Sequence, residues 1–254
     1  MKITLLQTDP RWCAPAENRA AAAALAPQKG ETDLLVLPEM FSTGFVTDPS
    51  GAAETDGGSL RFLREFAAER GYAVAGSVSV QADGAFRNRF YFVTPDGTET
   101  HYDKHHLFTY SGEHLRYKAG EERVVVEYAG FRILLQVCYD LRFPVFARNR
   151  LVDGRADYDM ILYVASWPAS RIAAWDTLLR ARAIENLCYV AAVNRVGADP
   201  GNTYPGHSVL IGPRGDILSV CKENAVDSAT TEVSLPVLQE FRTAFPALKD
   251  ADCQ

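Results

Sequence analysis

The stretch Ile133-Leu-Leu-Gln-Val-Cys-Tyr-Asp-Leu-Arg-Phe-Pro144 decides how this chain reads. Residues 133–137 have the length and apolar character of a buried strand. Cys138 closes that run, Tyr139, Asp140 and Arg142 follow, and Pro144 can open a helix, where its missing N–H is not needed. A thiol at a strand-to-helix turn lies at a sheet end. Beside it are helix N–H groups without intrahelical acceptors, which can hold a developing oxyanion. The competing reading is a small buried hydrophobe, since free cysteine is among the most buried residue types. The polar residues just after Cys138, with partners elsewhere in the chain, favour a nucleophile.

The flanking sequence supplies a sheet for this turn. Runs at 33–37, 160–164 and 189–193 are continuously apolar, as strands covered on both faces are. Further strands are predicted over 2–7, 73–80, 89–94, 98–102, 124–128, 131–137, 208–211, 217–220 and 231–235. Helices are predicted over 15–25, 60–70 with Ser59 as cap, 145–152, 172–186 and 237–245, with Phe62, Leu63 and Phe66 on the inner side of the second. Pro95-Asp96-Gly97, Ala129-Gly130 and Gly212 to Asp216 read as hairpin turns. Strands joined both by helical crossovers and by hairpins make an α/β fold with mixed, mostly buried sheets and helices outside. The polar residues Glu39, Lys104, Cys138, Trp167 and Asn194 all fall at predicted strand ends, where α/β proteins place their ligand crevice.

Composition narrows the function. The chain has 254 residues, of which 47% are hydrophobic, and no composition shift divides it, so a single domain over 1–254 is expected. With 26 basic and 32 acidic residues the net charge is −6, and no basic block offers a nucleic-acid footprint. No apolar run approaches the ~20 residues that cross a bilayer. Five scattered cysteines (Cys13, Cys138, Cys188, Cys221 and Cys253) contain no CxxC pair, which suggests neither a zinc cage nor a disulfide framework and fits a reducing cytoplasm.

The strand-end residues have the chemistry a cysteine nucleophile needs. A free thiol ionises at about 8.5, so a base must take its proton. Glu39 follows the apolar run Leu34-Leu-Val-Leu-Pro38. Buried there, its carboxyl would be a competent base; solvated, it would be an ordinary loop glutamate. Lys104 could stabilise an oxyanion and help hold Cys138 as thiolate, or be a surface lysine. His105 and His106 are candidate bases or metal ligands, but adjacent side chains diverge and no metal site is expected.

Leu37-Pro38-Glu39-Met40-Phe41, Asp103-Lys104-His105-His106-Leu107-Phe108 and Cys138-Tyr139-Asp140-Leu141-Arg142-Phe143-Pro144 resemble, in order, the three signatures of the nitrilase superfamily of carbon–nitrogen hydrolases. The resemblance runs from Lys2 to Phe245-Pro246. Within the superfamily the chain looks most like a bacterial omega-amidase, which deamidates 2-oxoglutaramate, on the stretches Tyr139 to Pro144 and Arg180-Ala-Arg-Ala-Ile-Glu-Asn186. The resemblance implies an α-β-β-α sandwich that pairs with a second subunit through its helices to form a four-layer homodimer. It implies Glu39 as general base, Lys104 as catalytic lysine, Cys138 as nucleophile and Glu113 as the second glutamate that orients the lysine or substrate. It implies no cofactor. Asp140 is expected to serve structure.

The chemistry that follows is attack of Cys138 on an amide, with Lys104 and the Tyr139 backbone N–H holding the oxyanion and a thioester released by water. A keto dicarboxylic acid monoamide carries a carboxylate that suits a bidentate arginine. Arg142 is the candidate, against a structural ion pair with Asp140 or a nearby acid. Phe41, Phe45 and Trp167 could wall the pocket or pack in the core. Competing functions are another amidase of the superfamily, acting on a carbamoyl amine, deaminated peptide or nitrile; a papain-like Cys-His hydrolase using His105, His106 or His207; and a scaffold without catalysis.

Overall fold

Two six-stranded mixed sheets form the frame in a computed structural model that describes residues 1–251. The first runs Asp227–Glu232, Lys2–Gln7, Leu34–Val36, Ala73–Ala82, Ala85–Val93, Glu99–Asp103. The second runs Ile217–Val220, Val209–Ile211, Tyr189–Asn194, Met160–Ala165, Phe131–Val137, Val125–Tyr128. Each is parallel at its centre and antiparallel at its margins.

Strand alternation explains the layering. Ile133, Leu135 and Val137 meet Leu162, Val164, Ile3, Leu5 and Val36 in a core between the sheets. The residues of opposite parity face the helices. Leu134, Ile161 and Tyr163 pack with Trp175, Leu179 and Ala183 of the helix Ile172–Asn186. Leu35, Leu37 and Val74 pack with Ala22 of Pro15–Leu25 and with Leu63 and Phe66 of Gly58–Arg70. The expected α-β-β-α sandwich is thus the observed one. Among the described residues no helix is long and apolar enough to cross a membrane.

Three local expectations need correction. The helix predicted over 145–152 stops after Pro144–Ala147, and Leu151–Val152 then pairs with Arg155–Ala156. Asp153 and Gly154 take φ of 51° and 76°, the positive values an Asp-Gly hairpin turn needs. The last strand is Asp227–Glu232 rather than 231–235, and Ser234 instead caps the helix Leu235–Ala244. Ser59 lies inside the first turn of Gly58–Arg70, whose N-cap is Gly57; Ser59 bonds the Glu54 carboxylate instead.

Candidate active site

Cys138 ends the strand Phe131–Val137 and starts a 3-10 turn, Cys138–Arg142, with φ of 46°. The left-handed region costs a residue with a Cβ roughly 1–2 kcal/mol, so the surroundings must hold it. Asp140 does much of this. Its Oδ2 accepts from Val137 N (2.9 Å) and Tyr102 Oη (2.8 Å), and its Oδ1 from His106 N (2.9 Å), with His106 Nδ1 at 2.8 Å. One buried carboxylate thereby ties the cysteine turn to the segment carrying Lys104. From the other side Arg182, buried in the helix Ile172–Asn186, donates to Leu141 O at 2.6 Å. Within the Arg180 to Asn186 stretch it is Arg182 that braces the turn.

Glu39, Lys104 and Glu113 are sealed beneath the thiol, and all three side chains are fully buried. Lys104 Nζ donates to Glu39 Oε1 at 2.9 Å and to Glu113 Oε2 at 2.9 Å. Asn88 Nδ2 donates to Glu39 Oε1 (2.8 Å) and Glu113 Oε1 (3.3 Å). The backbone N–H of Ser166 donates to Glu39 Oε2 at 2.8 Å and that of Phe108 to Glu113 Oε2 at 2.6 Å. The Cys138 thiol completes the set: the charges of Glu39 and Lys104 both act on it, the carboxylate raising its pKa and the ammonium lowering it. These groups come from the ends of Leu34–Val36, Glu99–Asp103, Phe131–Val137 and Met160–Ala165, from the interior of Ala85–Val93, and, for Phe108 and Glu113, from the starts of the 3-10 turns that follow Glu99–Asp103. Of the residues read as sharing a strand-end crevice, Cys138 and Trp167 line the pocket, while Glu39, Lys104 and Asn194 are buried behind it.

The model for carbon-nitrogen hydrolases matches residues 2–243. The chain belongs to the carbon–nitrogen hydrolase family. It is 44% identical over 253 residues to the omega-amidase YafV of Yersinia enterocolitica, covering 99% of this chain and 97% of that one. It is 35% identical over 254 residues to the 2-oxoglutaramate amidase of Bacillus subtilis, covering 98% and 96%. A carbon–nitrogen hydrolase superfamily protein of Xanthomonas campestris, solved with an arsenic adduct in its active site, superposes with a TM-score of 0.96 at 47% identity, covering 100% and 98% of the two chains.

The charge state of this hydrolase's thiol differs from the sequence expectation. Burial pushes the Cys138 thiol well above its ordinary value and the Glu39 carboxylate adds to that; the opposing pull of Lys104 is smaller. Lys104 thus favours the thiolate, while burial and Glu39 together favour the protonated thiol more strongly. Burial also raises the Glu113 carboxyl, against the pull of Lys104 and with the repulsion of Glu39. Lys104 itself stays charged, because its two carboxylates outweigh the cost of burial.

Above the thiol opens a pocket of about 590 Å³, lined among others by Phe45, Phe108, Tyr139, Arg142, Trp167 and Arg171. Arg142 lies in it with its guanidinium carbon 5.0 Å from the Trp167 ring centroid. Asp140 is engaged elsewhere, so the ion-pair alternative for Arg142 fails. Trp167 is fixed by Asn194, whose Oδ1 accepts from Trp167 N (2.7 Å) and whose Nδ2 donates to Trp167 O (2.9 Å). Phe41 is not a pocket wall. Its ring packs against Phe62, 6.3 Å away, in the core under Gly58–Arg70. Phe45 occupies the wall instead, 5.2 Å from Lys104 Nζ.

The histidines are structural. His106 stacks on Phe143 at 3.8 Å and His105 on Phe146 at 4.3 Å, while His207 meets Asp176 at 3.0 Å. None of the three lines the pocket, which removes the geometric basis for a Cys-His hydrolase.

Asn88, Ser166 and Arg171 escaped the sequence reading. Asn88 alone carried a usable signal, an amide inside the strand Ala85–Val93, where Asn is disfavoured unless its side chain has work. Replacing Asn88 by leucine keeps the volume and removes one donor from each carboxylate. Displacing the base from its aim is expected to lower kcat about tenfold to a hundredfold with KM little changed. Steady-state ammonia release measures this, and an unchanged kcat would show that the two carboxylates hold their places without it.

Proposed function

We propose that this hydrolase is an omega-amidase, converting small keto dicarboxylic acid monoamides such as 2-oxoglutaramate and 2-oxosuccinamate to the acid and ammonia through a Cys138 thioester. Arg142 carries the substrate assignment. It projects into the pocket above the nucleophile, and among the described residues no carboxylate lies within ion-pair distance of it. An omega-amide extending from Cys138 would bring its distal carboxylate to this free guanidinium. A cationic amide would meet repulsion there, which disfavours carbamoyl amines.

The reaction follows from the contacts. Glu39 takes the Cys138 proton as the sulfur adds to the amide carbonyl, and the carbonyl π pair moves to oxygen. An ammonium has three donors. One of those on Lys104 points at Glu39 and a second, shared between its two oxygens at 3.2 and 2.9 Å, at Glu113, which leaves the third for the oxyanion. The Tyr139 N–H is its second donor, standing in the first turn of Cys138–Arg142, where helical acceptors are lacking. As the oxyanion collapses, the C–N bond breaks and Glu39 returns the proton to nitrogen, releasing ammonia. Glu39 then takes a proton from water as it adds to the thioester. The C–S bond breaks, the sulfur recovers the proton, and the acid leaves.

Ammonia release across 2-oxoglutaramate, 2-oxosuccinamate, glutamine, asparagine and a carbamoyl amine tests the assignment. The two keto-acid amides are expected to lead by kcat/KM. Arg142→Gln is expected to lower kcat/KM for 2-oxoglutaramate roughly a hundredfold, the scale of a lost charged hydrogen-bond pair. Preference for the carbamoyl amine, or indifference to Arg142→Gln, would exclude this substrate class.

A further inference from the structure

The pocket contains a second guanidinium that the chemistry above leaves unused. Arg171, at the end of the 3-10 turn Ala169–Arg171, lines the same cavity as Cys138 and Arg142. Its guanidinium carbon sits 5.2 Å from the Phe108 ring centroid and 5.6 Å from that of Tyr110. Tyr110 is 84% exposed, so this is the outer end of the pocket. The two arginines flank one indole: Arg142 lies over the Trp167 face, and the Trp167 Nε1–H donates to Arg171 O at 2.8 Å. Among the described residues Arg171, like Arg142, has no carboxylate at ion-pair distance. The acid on the pocket wall, Asp199, is already engaged by Tyr204 Oη and by the backbone N–H groups of Gly201 and Asn202.

Two cations facing one cavity, neither held in an ion pair among the described residues, form a site for an anion. Aromatic faces hold a guanidinium in place while leaving its N–H edge free to donate. We propose that Arg171 is a specificity-determining residue that grips the substrate carboxylate from the outer end of the pocket while Arg142 grips it from within, an assignment that rests on the omega-amidase reading. Anionic monoamides are then selected over neutral amides of equal length by two forks rather than one. The rival explanation is structural, with Arg171 merely clamping the Phe108 to Tyr110 segment across the pocket mouth. That clamp would serve every substrate alike.

The test uses wild type, Arg171→Met and Arg171→Lys with 2-oxoglutaramate and with pentanamide, a neutral amide of the same carbon count. Binding of the product 2-oxoglutarate is read in parallel by titration calorimetry. Arg171→Met keeps apolar packing and removes the charge. It is expected to raise KM for 2-oxoglutaramate roughly 10- to 100-fold with kcat within about threefold, and to weaken 2-oxoglutarate binding similarly. Pentanamide kcat/KM should stay at the wild-type value, and Arg171→Lys should recover part of the loss. Equal losses on both amides, or unchanged 2-oxoglutarate affinity in Arg171→Met, would overturn the proposal. A wild type that binds 2-oxoglutarate through Arg171 yet releases no ammonia from 2-oxoglutaramate would instead refute the omega-amidase reading and leave the anion site standing.

Discussion

Cys138→Ala is expected to end ammonia release, lowering turnover by roughly 10⁴-fold or more, the scale on which removal of a covalent nucleophile is felt. The reason is positional as well as chemical. Cys138 is the cysteine that lines the pocket, and its thiol feels the charge of the Glu39 carboxylate. Cys188 and Cys221 are 0% and 3% exposed, and burial raises both thiols, that of Cys221 to about 12. Cys13 is exposed but makes no part of the buried cluster. Cys253 lies outside the described residues. Serine or alanine at each of these four should leave the chemistry intact. Mass spectrometry of enzyme quenched during turnover checks the assignment: the acyl mass should appear on wild type and vanish in Cys138→Ala. An adduct surviving on another residue would contradict it.

Lys104→Met should be the second most damaging change, through two separable effects. Loss of the oxyanion donor is expected to slow turnover roughly 10²- to 10³-fold. Loss of the shared cation also strands Glu39 and Glu113, two fully buried carboxylates that each lie 2.9 Å from the same nitrogen. Breaking a buried ionic set from one side costs about 3–5 kcal/mol, visible as a lowered Tm. The sign with pH follows from Glu113, whose carboxyl is raised by burial and by Glu39 and, when Lys104 goes, loses the larger of the pulls opposing them, keeping the Phe108 N–H. A carboxyl with a raised folded-state pKa contributes stability at acid pH and loses it as pH rises through that value. Lys104→Met should therefore melt highest in acid and fall toward neutrality. Adding Glu113→Gln removes one stranded charge and should recover much of the Tm while the rate stays low. A wild-type rate in Lys104→Met would take this lysine out of the mechanism, and an unchanged melt would mean the carboxylates share a proton at no cost.

The legible part of this protein was the part written in continuous apolar runs. Residues 133–137 and 160–164 and the run before Glu39 could be little other than buried strands, and the reactive groups simply follow them. Features that depend on a reversal or a distant partner were hidden. Met40 takes φ of 45°, so Phe41 leaves strand alternation, donates its N–H to Ser77 O at 3.1 Å and turns its ring to the outer core. The edge strand Asp227–Glu232 alternates between half-buried and exposed residues and carries almost no apolar signal of its own; its pairing with Lys2–Gln7, more than two hundred residues away, creates it. Arg171 was invisible for a similar reason. Nothing adjacent to it in sequence announces Phe108 and Tyr110, the rings over which it lies.

A thiol pushed toward its neutral form has a bearing on how it meets oxidants. Peroxide and related oxidants attack the ionised form of cysteine and spare the neutral one. The burial and the neighbouring carboxylate that raise the Cys138 thiol thus shield it between turnovers, although the cavity above it is open to small molecules. Sensitivity to oxidants is then expected to be greatest once the proton has moved to Glu39, an interval in which substrate occupies the pocket.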